Sequence, residues 1–276
     1  MLTPEENRLI YKSAYQYLIS ILPKSINEGS LNKYFECESR NFKSLEEVFE
    51  RFIVSAQNYQ AMPNIINFET RKKRIKKILF DYNLRKIASL KIENLYQTFR
   101  KEFKVTSVDS KMNSWYKWSK SVIDTAKFIC GFKDIEDFKT FVRLFDYNPT
   151  TRIALPLLIS TKISGIGFAL ACDALKELGF IDYPKPDVHL INVFSSIDTD
   201  CTDSVSVFET ITRMAIDCQN EDSTVTPYKI DKVFWLICSG NYYLDKLKIT
   251  RHRDDFISYL QQKLNIQSKA SCKNLI

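Results

Sequence analysis

Apolar residues recur every three or four positions along almost the whole chain, and alternating apolar and polar runs are scarce. The first spacing places apolar side chains on one face of an α-helix, whereas a strand needs a spacing of two. The pattern therefore predicts an all-α fold. It predicts one continuous helix over 85–102 and two consecutive helices over 150–161 and 168–178. Asp203 precedes another helical run and is predicted to cap it.

The start of the chain, MLTPEENRLIYK, contains no apolar signal segment, and no apolar run approaches the length of a membrane span. Thr3, Pro4 and Glu6 instead form the pattern of a capped helix start, with a proline in its first turn. We therefore expect a cytoplasmic protein that begins in a helix and has no membrane partner.

The net charge of +7 is unevenly distributed, because TRKKRIKK places six basic residues between Arg71 and Lys77. This segment has two interpretations. Ile75 belongs to an apolar stripe at helical spacing, so the basic residues can be the solvated face of a packed helix. Alternatively, Lys72 and Lys73 contact the phosphates of a nucleic acid.

Cysteine and histidine usage limits the cofactors that the chain can hold. An odd number of widely spaced cysteines without a C-x-x-C pair favours buried free thiols over disulfides and over an iron–sulfur cluster. The two histidines make a histidine-based metal site improbable. We therefore expect no metal and no cofactor. The seven cysteines are Cys37, Cys130, Cys172, Cys201, Cys218, Cys238 and Cys272.

Only six glycines are present, and Gly165 and Gly167 lie together in ISGIG, between the helices predicted over 150–161 and 168–178. Two glycines permit a very short turn and leave backbone N–H groups unpaired where the second helix begins. These N–H groups and the helix dipole form an anion site that fits a DNA phosphate. The alternative is an ordinary tight helical hairpin.

This stretch resembles the helix-hairpin-helix motif, which has an apolar residue, any residue, glycine, an apolar residue, glycine and, four positions later, alanine. Here these are Ile163, Ser164, Gly165, Ile166, Gly167 and Ala171. Twenty residues after Gly167 comes Asp187, in KPDVHL. Together the two elements resemble the helix-hairpin-helix superfamily of DNA glycosylases, in which a Gly/Pro-rich loop and a catalytic aspartate follow the hairpin.

The resemblance implies that Asp187 is catalytic and that residues 163–167 bind the backbone of double-stranded DNA. Lys185 lies beside Asp187, and His189 is expected to hold the loop or contact a phosphate. The segment VSAQNYQ looks like the part of the family where a glutamine fills the gap left by a flipped base. Gln57 matches that glutamine, and an exposed amide at a helix end is the alternative.

Family members that also cut the DNA backbone use a lysine two positions after the second hairpin glycine, where this chain has Ala169. The resemblance therefore implies a monofunctional enzyme whose nucleophile is water. Breaking an N-glycosidic bond builds positive charge on the sugar, which a fixed carboxylate stabilises while it orients or deprotonates water. The alternative for Asp187, a helix cap, is compatible with this role.

A base must leave the stack before its glycosidic bond can be reached, and an aromatic pocket offsets the cost of that step. The candidates for the walls of this pocket are Tyr59, Trp115, Tyr116 and Trp118. For each of them, packing in the core is the alternative, and the sequence favours it.

By resemblance, residues 45–183 form a helical barrel lobe that ends in the hairpin at 150–179. Residues 1–44 and 184–276 then form a second lobe, with a cleft between the two. The predicted function is a monomeric, monofunctional DNA glycosylase. The resemblance leaves open whether a monovalent cation binds at the hairpin. Its target is a damaged base or, in phage defence, a hypermodified cytosine. The alternative is a non-catalytic DNA-binding protein that keeps only the hairpin.

Overall fold

The computed structural model describes residues 2–36, 42–59 and 62–266. The fold is all-α, as the sequence predicts: within these ranges, the only strands are the antiparallel pair β1 (Asn241–Tyr242) and β2 (Leu247–Lys248). No helix in this part of the chain is long and apolar enough to cross a membrane. The helices are, in chain order, α1 (Pro4–Ser20), α2 (Glu28–Asn32), α3 (Leu45–Gln57), α4 (Met62–Ile66), α5 (Phe68–Ile78), α6 (Leu84–Ala88), α7 (Ile92–Glu102), α8 (Ser114–Ile129), α9 (Ile135–Leu144), α10 (Pro149–Arg152), α11 (Ala154–Lys162), α12 (Phe168–Glu177), α13 (Val188–Ile197), α14 (Ser204–Gln219), α15 (Pro227–Ser239) and α16 (Arg253–Lys263).

The chain divides into two compact units of opposite charge. Unit 1 combines residues 1–38 with 181–276, and unit 2 comprises residues 39–180. Unit 2 contains 25 Lys and Arg against 15 Asp and Glu, a net charge of +10, whereas unit 1 contains 15 against 18, a net charge of −3. The basic excess of the protein therefore belongs to the unit that contains ISGIG.

In unit 1, α1 packs against α14, α15 and α16, and α13 packs against the same three helices. The rings of Phe194 and Phe234 stack in this core with their centroids 5.1 Å apart. The helix α1 begins as predicted, because Thr3 and Glu6 accept each other's backbone N–H groups in a capping box. The packing of α13 on three helices fixes the element that follows Asp187.

In unit 2, α8 packs against α3, α6 and α7. Its tryptophans anchor it: the Trp118 indole N–H donates to the Ile53 carbonyl at 2.9 Å, and the Trp115 ring stacks on Phe103 with centroids 4.9 Å apart. The helix α11 packs on α12, and α8 also contacts α11. One face of α8 is therefore held in the core while the helix supports the end of α11.

Candidate functional site

Five residues, ISGIG, connect α11 to α12. Ile163 and Ile166 are buried and anchor this connection, and the Ile166 N–H donates to the Ile163 carbonyl at 3.2 Å. Gly165 has a φ of +81°, a conformation that residues with a side chain rarely adopt. Gly165 and Gly167 are both exposed. The apolar residues thus fix the turn and the glycines form its surface, which we call the hairpin turn (Ile163–Gly167).

The helix α8 holds the hairpin turn through two side chains. The Ser121 hydroxyl donates to the Ser164 carbonyl at 2.6 Å, and the Ser164 N–H donates to the Asp124 carboxylate at 3.2 Å. Both polar backbone groups of Ser164 are thereby satisfied. The turn is consequently fixed by tertiary contacts as well as by its own sequence.

Other backbone N–H groups at the turn and at the start of α12 have no hydrogen-bond acceptor among the described residues. Gly167 is the N-cap of α12 and has no side chain with which to cap it. Among the residues that the structure describes, none accepts a hydrogen bond from the backbone N–H of Gly165, Gly167 or Ala169. Exposed N–H groups at a helix N-terminus, where the helix dipole is positive, favour an anion.

A depression of about 400 Å³ lies beside these N–H groups. Two lysines of α8, Lys117 and Lys120, line it one helical turn apart. The sequence prediction missed both, although they lie in the same NSWYKWSK segment as the predicted aromatic residues. Helical spacing could have identified them, since it places both lysines away from the helix face that carries Trp115 and Trp118. The depression is lined by Ala56, Tyr59, Met62, Lys117, Lys120, Ser121, Ser164, Gly165, Ile166 and Gly167.

The structure separates the four aromatic candidates for a base pocket. Tyr59 lines the depression and is 41% exposed. Tyr116 instead donates to Glu93 at 3.2 Å. Trp115 and Trp118 are 1% and 0% exposed, which corrects their assignment to a pocket wall. They are core residues, and no base can stack on either ring without unpacking α8.

Gln57 does not present its amide to a ligand. Its side chain is only 8% exposed, and its Oε1 accepts the backbone N–H of Phe68 at 3.1 Å. Neither the base-gap role nor the exposed amide predicted from the sequence fits this geometry. Gln57 is instead a tertiary cap for the start of α5, where Asn67 makes no side-chain cap.

The basic residues of α5 are partly engaged inside unit 2. Lys72 pairs with Glu50, and the Arg71 guanidinium lies 5.1 Å from the centroid of the Phe103 ring. Lys73 and Lys77 are exposed, and their side chains have no partner among the described residues. Of the two lysines predicted to contact phosphate, Lys73 is therefore the one whose ammonium group is free to do so.

Asp187 is the N-cap of α13. Its backbone is extended, with φ −81° and ψ 178°, and its Oδ1 accepts the N–H groups of His189 at 2.9 Å and Leu190 at 3.3 Å. Pro184 and Pro186, in the loop before it, are both buried. A proline has a fixed φ, so this loop offers few alternative conformations. The carboxylate is thus held in place by its own helix and by a stiff loop.

Burial raises the pKa of Asp187. The charge of Lys185 opposes this shift, the charge of Asp231 adds to it, and the charge of His189 opposes it. The Nδ1 of His189 is buried and has no hydrogen-bond partner among the described residues. The arrangement is a half-buried carboxylate that binds a proton more tightly than a free aspartate does.

Within the described ranges, no three His, Cys, Asp or Glu side chains come together as a candidate metal site. Among the described residues, five cysteines are free thiols: Cys130, Cys172, Cys201, Cys218 and Cys238. Cys37 and Cys272 lie outside the described residues.

Comparisons of the chain with protein-family models, with curated proteins and with solved structures find no match.

Proposed function

We propose that this protein is a monofunctional DNA glycosylase that acts on double-stranded DNA as a monomer and without a cofactor. It takes a damaged or modified base out of the helix and hydrolyses its N-glycosidic bond. The observation that carries the proposal is Asp187, a half-buried carboxylate with a raised pKa at a helix N-terminus. It follows the hairpin turn at the sequence distance typical of the glycosylase superfamily that the chain resembles.

Three features support DNA as the partner. Unit 2 has a net charge of +10, the hairpin turn has open N–H groups, and Lys117 and Lys120 lie beside it. Open N–H groups and nearby ammonium groups suit a phosphate without reading the base sequence. We therefore assign backbone binding to the hairpin turn, with Lys73 as a further phosphate contact.

The chemistry assigned to Asp187 is hydrolysis. As the bond between C1′ and the base breaks, its electron pair leaves with the base, and positive charge develops on the sugar. The ionised carboxylate stabilises that charge and accepts a proton from the attacking water, whose oxygen bonds to C1′. The departing base gains a proton, and an abasic site remains. A raised pKa makes the carboxylate a stronger base for this step.

Ala169 supports water as the nucleophile, because it has no amine that could form a Schiff base with C1′. The wild-type protein is therefore expected to leave abasic sites uncut and to resist trapping on DNA by borohydride. Efficient trapping would instead assign the attack to a lysine, such as Lys162, and would overturn the monofunctional assignment.

The experiment that tests the proposal is a panel of duplexes that contain alkylated bases, oxidised bases or hypermodified cytosines. Alkali then cleaves any abasic site that forms. Release of alkylated or oxidised bases indicates repair, and release of hypermodified cytosines indicates defence against phage. Asp187→Asn should slow single-turnover base release by about 100-fold or more while DNA binding persists.

Asp203→Asn is the matched control, since Asp203 caps α14 just as Asp187 caps α13. It should release the base at the wild-type rate. If Asp187→Asn also keeps the wild-type rate, Asp187 is not the catalytic group and the proposal is wrong.

The second candidate is a DNA-binding protein without catalysis. The hydrogen bonds of Asp187 to two N–H groups of α13 favour it, because capping alone accounts for them. This candidate requires salt-sensitive binding to every duplex of the panel with no base released from any of them.

A further inference from the structure

A second carboxylate, on α15, is bonded to the loop that carries Asp187. Asp231 is 1% exposed, and its Oδ2 accepts the backbone N–H of Lys185 at 2.8 Å. The Lys185 carbonyl in turn accepts the Asp187 N–H at 2.9 Å. A continuous set of hydrogen bonds therefore runs from a buried side chain of α15 to the backbone of Asp187.

We propose that Asp231 is a positioning residue for Asp187, holding the backbone of residues 185–187 so that the Asp187 carboxylate keeps one place and orientation. This inference rests on the proposed function of Asp187. Burying the Asp231 carboxylate costs free energy, because an ionised carboxylate removed from water requires compensating hydrogen bonds. On α15, Asp231 lies among buried residues that include Ile230, Lys232 and Val233.

The charges around Asp187 give Asp231 a second effect. Lys185 and His189 face Asp187 from its own loop and helix, and Asp231 and the Cys238 thiol face it from α15. The negative charge of Asp231 raises the pKa of Asp187, whereas Lys185 and His189 lower it. Asp231 thus opposes Lys185, whose positive charge would otherwise weaken Asp187 as a base.

Two variants separate the hydrogen bond from the charge. Asp231→Asn keeps an oxygen that can accept the Lys185 N–H but removes the charge. Asp231→Ala removes both. Asp217→Asn is the matched control, because Asp217 is a part-buried aspartate of unit 1 that binds the Asn7 amide at 2.7 Å.

The first measurement is the titration of the Asp187 carboxyl carbon by NMR in the full-length protein without DNA. We expect the pKa of Asp187 to fall in Asp231→Asn and to stay at the wild-type value in Asp217→Asn. The pH profile of base release should move to lower pH in parallel. A residue that only stabilised the fold would leave both unchanged.

The second measurement is single-turnover base release by Asp231→Ala at saturating protein. Loss of the hydrogen bond should reduce the rate by about 10- to 100-fold, because misplacing a catalytic group by about 1 Å has effects of this size. DNA affinity should stay within about twofold of wild type, since Asp231 is buried. If Asp231→Ala does not fold, Asp231→Ser takes its place, because the shorter serine side chain also lacks the charge and does not reach the Lys185 N–H.

A wild-type rate in folded Asp231→Ala would overturn the positioning role. An Asp187 titration that is the same in wild type and Asp231→Asn would overturn the effect of the Asp231 charge on Asp187. In either case an inactive Asp187→Asn would leave the proposed function intact. An active Asp187→Asn would instead remove the proposed function, and the titration would still show whether Asp231 controls the Asp187 carboxyl.

Discussion

Gly165 lies so close to Ser121 that a Cβ added to residue 165 would be 2.7 Å from the Ser121 Oγ. That hydroxyl also donates to the Ser164 carbonyl at 2.6 Å, so it cannot turn away without losing the bond. Gly165 is therefore required twice, by its positive φ and by the approach of α8.

Gly165→Ala should lower the free energy of unfolding by about 2–4 kcal/mol, from a strained backbone and a crowded contact. Urea denaturation measures this change. In a Ser121→Ala background the Oγ is absent, so the same substitution should cost less. An equal cost in both backgrounds would show that the contact with Ser121 is unimportant.

Gly167 differs, because a Cβ there meets no atom within 4 Å, and its backbone is extended with φ −82°. Gly167→Ser should keep the free energy of unfolding or raise it by roughly a few tenths of a kcal/mol, since serine is a slightly better N-cap than glycine. The new hydroxyl would occupy an N–H group that we assign to phosphate. DNA affinity should therefore fall although the fold is intact, and binding titrations measure this. Unchanged affinity would contradict phosphate binding at this N-terminus.

Lys117 and Lys120 should each contribute to the salt dependence of DNA binding. Replacing either with glutamine removes one ammonium group from the depression beside the hairpin turn. The slope of log K against log salt should become shallower by about one unit for each phosphate that is no longer neutralised. Lys111→Gln is the control, since this exposed lysine does not line the depression. Equal slopes for all three variants would remove α8 from the interface.

Asp187→Asn should stabilise the fold increasingly as pH rises. Because burial raises the pKa of Asp187 above its unfolded value of about 4, the folded protein holds this proton more tightly than the unfolded chain. The resulting stability is present below the unfolded pKa and is lost as pH rises through the raised pKa. Asparagine keeps the cap and has no proton to lose. Urea denaturation between about pH 3.5 and 7 measures the difference from wild type.

Asp203→Asn should change the free energy of unfolding in the opposite direction, because it should destabilise the fold as pH rises. Hydrogen bonds from Ser206 lower the pKa of Asp203 in the folded protein. The stability that ionised Asp203 contributes is therefore present above its unfolded pKa and is lost as pH falls through its lowered, folded pKa. This variant should be less stable than wild type at neutral pH, and the difference should shrink in acid. The same trend in both variants would contradict the raised pKa of Asp187.

Gln57→Ala should reduce stability rather than DNA binding. It leaves the Phe68 N–H without its acceptor, which costs about 1–3 kcal/mol for a buried group. Gln57→Glu keeps an acceptor oxygen at the start of α5 and should recover most of this loss. A drop in base release at unchanged stability would restore a role for Gln57 at the DNA.

Local patterns predicted the helices but not every break between them. The predicted helix over 85–102 is two helices, α6 and α7, because the chain leaves the helical conformation between them: Lys91, the residue before α7, is extended with φ −84° and ψ 139°. Apolar periodicity cannot detect this interruption, since both helices bury the same kind of side chain.

The candidate site shows the same limit. Turn chemistry and the position of Asp187 before a helix could be read from residue order, because both depend on neighbours in the chain. The burial of Gln57, Trp115 and Trp118 could not, since it depends on helices that are distant in sequence. Asp231 carries no sequence signal that links it to Asp187, as the two lie on different helices.

The division of unit 1 between the two ends of the chain also has a consequence during synthesis. Unit 2 is complete once residue 180 has emerged from the ribosome, but α1 packs on α14, which begins 184 residues after α1 ends. At about 5–20 residues per second, α1 waits about 10–40 s for its partner. During that interval the apolar face that α1 buries against α14 has no partner, so unit 1 can complete its core only after unit 2 has been synthesised.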